Sequence, residues 1–370
     1  MIYLDYAATT PIKPEVVEAM MPYFTKDFGN PSSHHDLGRN PREAVFMARN
    51  VISKILGFKS EELIFTSGAT ESNNMIITGL AKKAIKEGKN HIISSKYEHH
   101  SVLNTLEQLK DFGFEVTLID VKDGVINYDD ITKAIKPTTF LCTIMAVNNE
   151  IGSLVDLETI GKICHEHGVV FHTDATQYIG HVTKKIPLDY VDSFSFSGHK
   201  FNAPKGVGGL YLRKDLEIYP LLCGGQQEKG LRAGTENVPY IVGMAKALEL
   251  ARSASSVLMK YLTDELKTIP GVKINGEKAV RSNAVINVTI DGVKGESLLY
   301  MLNQYGIAAS TGSACNSDSN EPSHVLKAIG LTDEEANNSL RLSISDMTTA
   351  KELEYTIDML KTLINLIKKS

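Results

Sequence analysis

Apolar residues repeat along the chain at two periods, one typical of helices and one typical of strands. Positions 45–55 carry an apolar stripe at helical spacing, and Asn40 as a cap with Pro41 in the first turn predicts that this helix begins there. Short β-rich runs follow, most of them separated by segments of helix length. These runs are Leu63–Thr66, His91–Ser94, Val116–Ile119, Phe140–Ala146, Val169–Thr173, Ser193–Phe196 and Gly209–Leu212. The alternation predicts an α/β fold, with a mostly parallel seven-stranded sheet covered by helices and ligand-binding residues at the carboxyl ends of its strands.

The pattern changes after about residue 250, where α+β features replace the regular alternation. Ala284–Ile290 is typical of a strand, and an apolar stripe over 353–367 predicts a final helix. A chain of 370 residues is long enough for two domains. We therefore predict a large domain over 14–250 and a smaller domain formed by 1–13 and 251–370.

Composition narrows the classes of function. Apolar residues make up 42% of the chain and charged residues 22%, and the net charge of −5 provides no basic surface for nucleic acid. The first residues lack the charged and apolar regions of a signal peptide, and no run of 18 apolar residues occurs. We expect a cytoplasmic protein with neither nucleic acid nor membrane as a direct partner.

Four cysteines are widely spaced, with no C-x-x-C pair among them. This spacing argues against a disulfide framework and against a structural zinc site, so no resident metal is predicted. We expect Cys142, Cys164 and Cys223 to be buried as small hydrophobic residues. At least one of the four thiols is expected to be free for chemistry.

Three strand ends carry polar residues that suit one kind of cofactor. Leu63–Thr66 leads through Ser67 and Gly68 into a predicted helix, whose first N–H groups, with the Thr70 hydroxyl, could hold a phosphate. Taken alone, this turn favours an ordinary N-cap and capping box, with Thr70 or Ser67 as cap and a nearby glutamate.

Asp174 ends a buried strand, where a carboxylate needs a partner such as a protonated ring nitrogen, although a helix cap is an equal alternative. Lys200 follows another strand, beside hydroxyls and His199, and a lysine withdrawn from water can form a Schiff base. A phosphate turn, a ring-nitrogen acid and a strand-end lysine are the parts that pyridoxal 5′-phosphate (PLP) requires.

Longer motifs make the chain resemble a known family. It is similar to the cysteine desulfurases of the class V aminotransferase-like family, which have PLP fold type I, the aspartate aminotransferase-like fold. The likeness covers essentially the whole chain. The matching stretches are YLDYAATTP (3–11), GNPSS (29–33), SGATESNN (67–74), EHHSV (98–102), NNEIG (148–152), DATQ (174–177), SFSGHK (195–200), RAGTEN (232–237) and GSACNSDSNEPS (312–323).

The resemblance implies a role for each site residue. Lys200 would carry PLP as a Schiff base, Asp174 would pair with the pyridinium nitrogen and Gln177 would bond the ring oxygen. His99 would stack on the ring and act as acid and base. Phosphate contacts would come from Ala69, Thr70, Ser197, His199 and, from the other subunit of a homodimer, Thr235. Asn149 would contact the cofactor or the substrate carboxylate, and Arg341 would bind that carboxylate, which its planar guanidinium suits.

Cys315 lies between Ala308 and Pro322 in a run of small and polar residues without apolar periodicity, which predicts an exposed loop. The segment resembles the sulfur-accepting loop of desulfurases. The implied reaction converts L-cysteine to L-alanine, with sulfur held on Cys315 as a persulfide and passed to an acceptor protein, either an iron–sulfur scaffold or a tRNA-thiolation enzyme. The resemblance also makes Cys315 a candidate transient iron–sulfur ligand.

Other functions stay open at this point. Within enzymes, the chain could be a selenocysteine lyase or another class V PLP aminotransferase or lyase. From a different class, it could serve mainly as a sulfur-delivery platform whose catalysis is slow until a partner docks. One departure from many relatives lies after Arg341, where Asp346 follows Ser345 in place of glycine, and we expect it to alter the local packing.

Overall fold

The structure is a computed structural model that describes residues 1–312 and 321–369. The strands are β1 Ile2–Tyr3, β2 Leu63–Thr66, β3 His91–Ser95, β4 Glu115–Ile119, β5 Val121–Lys122, β6 Val125–Ile126, β7 Thr139–Thr143, β8 Val170–Asp174, β9 Ser193–Ser197, β10 Gly208–Leu212, β11 Val272–Ile274, β12 Val285–Ile290, β13 Ile307–Ala308 and β14 Ser339–Ser343.

α-Helices separate the strands from β2 to β8, except that the short strands β5 and β6 follow β4 directly, and no α-helix lies in the described residues between β8, β9 and β10. The helices are α1 Pro14–Met20, α2 Pro22–Thr25, α3 Asp36–Leu56, α4 Ala69–Lys86, α5 His100–Lys110, α6 Tyr128–Ala134, α7 Leu157–Glu166, α8 Val238–Leu250, α9 Ser256–Lys267, α10 Gly295–Gln304, α11 His324–Ala328, α12 Asp333–Asn337 and α13 Ala350–Lys369. No helix among the described residues is both long and apolar enough to cross a membrane.

A seven-stranded sheet forms the centre of the large part of the molecule, in the order β2-β10-β9-β8-β7-β3-β4. Only β10 runs against the others, because it pairs antiparallel with both β2 and β9 while the remaining neighbours are parallel. The predicted α/β class and mostly parallel seven-stranded sheet are confirmed. In the pairing of β8 with β9, Asp174 lies opposite Ser195, so the two candidate strand ends are neighbours.

Each predicted run overlaps a strand of this sheet, and one run is too long. Phe140–Ala146 was expected, whereas β7 ends at Thr143. The chain beyond it still follows β8, because the Ile144 N–H donates to the His172 carbonyl at 3.2 Å and the Ala146 N–H donates to the Asp174 carbonyl at 2.9 Å. The apolar pattern therefore extends past the strand because the segment stays buried beside its neighbour.

The prediction for the first long helix was wrong at its beginning. α3 starts at Asp36 with His35 as the cap, and Pro41 lies inside it. Proline cannot donate to the carbonyl four residues earlier, which belongs to Leu37. Gly29 passes so close to that carbonyl that a Cβ on Gly29 would lie 2.0 Å from the oxygen. The proline is tolerated near the start of the helix. The predicted helix began at Asn40, so the prediction missed the turn that precedes it.

A second hydrophobic cluster surrounds the antiparallel sheet β11-β12-β14 and draws its residues from Leu4 and from 254–364. β1 pairs in parallel with β13 and joins the N-terminal residues to this region. Val325, Leu326, Ile329 and Ala336 pack instead with the cluster of the large sheet. The division into 14–250 and 1–13 plus 251–370 stays a prediction.

Candidate active site

A cleft of about 550 Å³ lies at the carboxyl ends of β8 and β9. Its lining includes nearly all of the predicted cofactor and substrate residues. They are Ala69, Thr70, His99, Asn149, Asp174, Gln177, Ser197, His199, Lys200 and Arg341. Thr235 is exposed and does not line the cleft of its own chain, and Cys315 lies outside the described residues.

Asp174 is the last residue of β8 and is only 4% exposed. Its Oδ2 accepts a hydrogen bond from Asn73 Nδ2 at 2.7 Å, and its Oδ1 accepts one from the Thr176 backbone N–H at 2.9 Å. These neutral donors fix the side chain without cancelling its charge, because neither of them is a cation. A buried carboxylate held in this way is suited to pair with a cationic group that enters the cleft.

The predicted phosphate turn connects β2 with α4. α4 begins at Ala69 with Gly68 as its N-cap, so the expectation that Ser67 or Thr70 caps the helix was wrong. Glu71 folds back and accepts from the Ser67 N–H at 2.9 Å, and residues 67–71 line the cleft. β10 approaches this turn closely, since a Cβ on Gly208 would lie 2.6 Å from the Cα of Gly68. The first N–H groups of a helix lack partners within it, and they bind anions readily.

Lys200 ends the short 3₁₀ turn Gly198–Lys200 that follows β9. Its Nζ donates to the carbonyl oxygen of Ala7 at 2.6 Å and to that of Ala8 at 2.8 Å. Gln177 Nε2 donates to the same Ala7 oxygen at 2.9 Å. The N-terminal segment therefore forms one wall of the cleft and holds the amine through neutral oxygen atoms.

Two histidines of the cleft differ in their hydrogen bonds. Nδ1 of His99 accepts from the Ser101 N–H at 3.1 Å, which places the ring proton on Nε2 when the imidazole is neutral. Burial lowers the pKa of His99, although the Asp174 carboxylate acts in the opposite direction. Burial, with Lys200 and Lys205 nearby, lowers the pKa of His199 to about 4, and its Nδ1 lies 3.1 Å from the Thr9 hydroxyl. Both rings are therefore neutral at pH 7.

Arg341 lies on β14, and only 2% of the residue is exposed. Its Nη1 donates to the carbonyl oxygens of Asn149 at 3.1 Å and Gly312 at 3.3 Å, and its Nη2 forms an ion pair with Asp5 Oδ1 at 2.8 Å. Within the described residues its buried Nε has no hydrogen-bond partner. A buried guanidinium that keeps a donor to spare can receive a carboxylate.

Comparison with known proteins identifies the family of this chain. The model of the family described as "Aminotransferase class-V" matches residues 2–356, almost the whole chain. The chain belongs to the class-V aminotransferase family. As a member of this family it is a PLP-dependent enzyme, which agrees with the acid, the lysine and the phosphate turn that line the cleft.

Close relatives of this class-V aminotransferase-family protein are cysteine desulfurases. It is 46% identical to "Cysteine desulfurase IscS" of Dictyoglomus turgidum, over 99% of this chain and 95% of that protein. It is also 46% identical to the protein of the same name from Methanosarcina thermophila, over 99% of this chain and 93% of that one. Among solved structures it resembles a "NifS-like protein" with a TM-score of 0.91 and 34% identity, over 99% of each chain. Another neighbour, "SspA in complex with cysteine", has a TM-score of 0.85 and 39% identity, over 94% of this chain and 100% of that one.

The residues of the cleft fit PLP. The volume is within the range of small-molecule sites, which is roughly 300–1,000 Å³. Asp174 supplies a buried carboxylate for a ring nitrogen, Lys200 supplies an amine and the turn at Ala69 supplies N–H groups for a phosphate. In addition, the Thr176 hydroxyl lines the cleft and has no hydrogen-bond partner among the described residues, so a polar atom is left for a ligand.

Several contributors to the site were not found from the sequence alone. Asn73, Thr9 and the carbonyls of Ala7 and Ala8 act through contacts between distant parts of the chain, which no local pattern reveals. Their only signal was that they lie within the matching motifs. Asp5 is a further example, because its partner Arg341 is 336 residues away.

Two further predictions concern residues that do not line the cleft. Cys142 and Cys164 are buried as expected, but the expectation was wrong for Cys223, which is exposed. Cys223 lies in a glycine-rich surface segment, and such segments have no core in which to place a side chain. Asp346, the departure noted after Arg341, forms an ion pair with Lys13 at 2.9 Å. This pair connects the segment after β14 with the residue that precedes α1.

Proposed function

We propose that this protein is a cysteine desulfurase in which Lys200 holds PLP and Cys315 accepts sulfur from L-cysteine. The reaction yields L-alanine and a persulfide on the enzyme. The observation that carries the proposal is the meeting of Asp174, Lys200 and Arg341 in one cleft beside the open turn at the start of α4. The cysteine desulfurases among the relatives, at up to 46% identity, support this reaction over selenocysteine cleavage or amino transfer.

The cleft divides into a part for the cofactor and a part for the substrate. PLP, when bound, supplies an electron sink that makes the Cα–H of an amino acid acidic. Asp174 would keep the ring nitrogen protonated, Gln177 would bond the ring oxygen and His99 would lie against the ring. Ala69, Thr70, Ser197 and His199 would hold the phosphate, and Asn149 would contact the cofactor or the substrate carboxylate. Arg341 receives the substrate carboxylate, since its Nε still has a donor available.

Two groups move protons in the cleft. The amine of Lys200 would take the proton from Cα of the substrate, and this amine lies within hydrogen-bond distance of the Ala7 and Ala8 carbonyls. His99 enters the reaction neutral with its proton on Nε2, because burial lowers its pKa and Ser101 occupies Nδ1. It can therefore deliver a proton at Nε2 and take it back, as a general acid and base does.

The sulfur step belongs to Cys315. Its thiolate attacks the substrate Sγ, so that an S–S bond forms while the C–S bond of the substrate breaks. The electron pair of the broken bond stays with the carbon skeleton, which is protonated and leaves as L-alanine. The thiol has to be deprotonated for this attack, because the thiolate is the nucleophile.

A homodimer with Thr235 in the partner's cofactor site is part of the proposal. Thr235 is exposed and lies outside the cleft of its own chain. Large apolar side chains are also exposed on the N-terminal helices and the segment between them, and an apolar surface of this kind is typical of an interface. These residues are Val17, Met21, Phe24, Phe28, Leu37, Phe46 and Met47. The second subunit would cover them and complete the phosphate site.

The persulfide sulfur goes to an acceptor protein. We propose an iron–sulfur scaffold or a tRNA-thiolation enzyme as that acceptor, on the support of the relatives named IscS. Cys315 would then be a transient iron–sulfur ligand only during transfer. A cytoplasmic location remains a prediction from the sequence.

Turnover with L-cysteine tests the function. Purified holoenzyme is given L-cysteine and dithiothreitol, and alanine and sulfide are measured over time. We expect Cys315→Ser to abolish both products, whereas Cys223→Ser, which removes another exposed thiol, keeps the wild-type rate. Wild-type rates in Cys315→Ser would contradict the persulfide step. Amino transfer to a keto acid without sulfide would contradict the reaction class.

A further inference from the structure

The guanidinium of Arg341 is already held at three of its five N–H groups. Two carbonyls occupy Nη1, and Asp5 occupies one position of Nη2, while Nε has no partner among residues 1–312 and 321–369. The donors that remain belong to Nε and Nη2, which together form one edge of the planar group. A carboxylate matches such an edge through two parallel hydrogen bonds. The existing contacts therefore decide which edge of Arg341 a ligand can use.

Asp5 reaches Arg341 from the strand side and not from the cleft. Among the described residues, Arg341 lines the cleft whereas Asp5 does not. Asp5 forms a parallel bridge with Ser343, two residues beyond Arg341 on β14, and Ser343 also donates to the Leu4 carbonyl at 2.8 Å. The Ala7 N–H then donates to the Ser343 hydroxyl at 2.9 Å. The backbone around Asp5 is thus fixed to the same strand that carries the arginine.

The charge of Asp5 has two opposing effects on a substrate carboxylate. It reduces the attraction of Arg341, and it holds the guanidinium in one orientation. Orientation should dominate, because the Arg341 side chain is 3% exposed and a buried guanidinium without a carboxylate partner is strongly unfavourable. Glu150 is the other acid that faces Arg341, but its Oε2 accepts from the Ser323 hydroxyl at 2.6 Å. Asp5 is therefore the acid that is bonded directly to the arginine.

We propose that Asp5 is a positioning residue that presents the Nε–Nη2 edge of Arg341 to the carboxylate of the amino-acid substrate. The inference rests on the proposed function, because it takes Arg341 as the group that binds this carboxylate. It extends the site to the N-terminal segment, which holds Lys200 through Ala7 and Ala8 and Arg341 through Asp5. One short stretch of chain then contacts both Lys200 and the arginine that is proposed to bind the substrate carboxylate.

Steady-state kinetics of Asp5→Ala and Asp5→Asn test the inference. Removal of a hydrogen bond to a charged group should raise KM for L-cysteine by about tenfold in Asp5→Ala. We expect kcat to change by less than about threefold, since Asp5 contacts none of the reacting atoms. Asp5→Asn keeps an oxygen acceptor, so it should recover part of the loss, and it serves where Asp5→Ala does not fold. Glu265→Gln, which breaks the part-buried ion pair with Lys361, is the control and should change neither constant.

A ligand without a carboxylate separates positioning from general damage. Cysteamine has the amine and the thiol of L-cysteine but no carboxylate. The absorbance change of the holoenzyme should require about tenfold more L-cysteine in Asp5→Ala, whereas the cysteamine titration should match wild type. A loss of affinity for both ligands, or for neither, would overturn the inference.

Arg341→Ala distinguishes the inference from the function on which it rests. If Arg341→Ala leaves KM for L-cysteine unchanged, the carboxylate clamp itself is wrong. If Arg341→Ala raises KM and Asp5→Ala does not, only the role of Asp5 is wrong. In the double variant, Asp5→Ala should add little to the effect of Arg341→Ala, because residues that act through one contact are not additive. Full additivity would show that Asp5 acts by another route.

Discussion

At the scale of single residues, the role of Lys200 leads to the most specific prediction. Lys200→Ala should lose the visible absorbance of lysine-bound cofactor, and kcat should fall by about 10²- to 10⁴-fold, because a positioned base is removed. Absorbance spectra and alanine release check both effects. Lys184→Ala removes an exposed lysine elsewhere and should leave both unchanged. A Lys200→Ala enzyme that keeps the absorbance and the turnover would exclude Lys200 from its assigned place.

The residues of the site were predictable to different degrees. Asp174 and Lys200 could be found because each follows a buried strand, and the parallel sheet brings such ends together. Arg341 and His99 were found through the resemblance alone. The ion pair of Asp5 with Arg341 could not be found, because it depends on how the segment after β1 meets β14 after folding.

At the scale of elements, the contact of β10 with the phosphate turn sets a test. Gly208→Ala would place a Cβ 2.6 Å from the Gly68 Cα and 2.6 Å from the Phe196 carbonyl oxygen. Backbone must move, at a cost of roughly 1–3 kcal/mol, and the turn should shift away from the phosphate position. We expect PLP affinity to fall by about tenfold or more, measured by fluorescence titration of the apoenzyme. Gly168→Ala strains a turn where a Cβ would meet nothing within 4 Å, and it should leave PLP affinity unchanged.

β8 contains a second testable feature, the buried His172 beside Asp174. Its ring lies between the Thr143 and Ser195 hydroxyls, and burial lowers its pKa to about 4. In the unfolded chain its pKa is about 6.5, so below that pH the unfolded state binds a proton that the folded state excludes. His172 should therefore cost the fold about 2 kcal/mol at pH 5 relative to pH 7.

Urea unfolding of wild type and His172→Gln at pH 7 and pH 5 checks this expectation. Burial raises the pKa of Glu98 to about 8, and that group changes stability in the opposite direction over part of the range. The difference between the two proteins removes such shared contributions. His172→Gln should lose about 2 kcal/mol less than wild type on acidification. The exposed His34→Gln should follow wild type, and equal losses in all three proteins would contradict the assignment.

At the scale of the whole molecule, the shared phosphate site can be tested with mixed dimers. Thr235→Glu places a negative charge where a phosphate is proposed, so we expect it to weaken PLP binding strongly. In a mixed dimer of Lys200→Ala and Thr235→Glu subunits, one site receives both substitutions and the other receives neither. We therefore expect about half of wild-type activity in the purified mixed dimer, and about a quarter in a mixture that pairs at random. If Thr235 acts within its own chain, mixing restores nothing.

Much of the overall fold could be predicted from the sequence. The strands of the large sheet are short apolar runs between helix-length segments, and each predicted run overlaps a real strand. The reversed direction of β10 was not predicted, because nothing in an apolar run encodes strand direction. The start of α3 was missed because Pro41 was expected in the first turn of the helix, whereas it lies inside the helix. The Leu37 carbonyl, which Pro41 cannot bond, lies against Gly29 outside the helix.

A single turnover measures the central claim most directly. Holoenzyme is mixed anaerobically with less than one equivalent of L-cysteine, and alanine is quantified while the peptide that contains Cys315 is weighed by mass spectrometry. We expect equal amounts of alanine and of Cys315 carrying one added sulfur atom. Alanine formed while Cys315 stays unmodified, or sulfur found on Cys223, would contradict it.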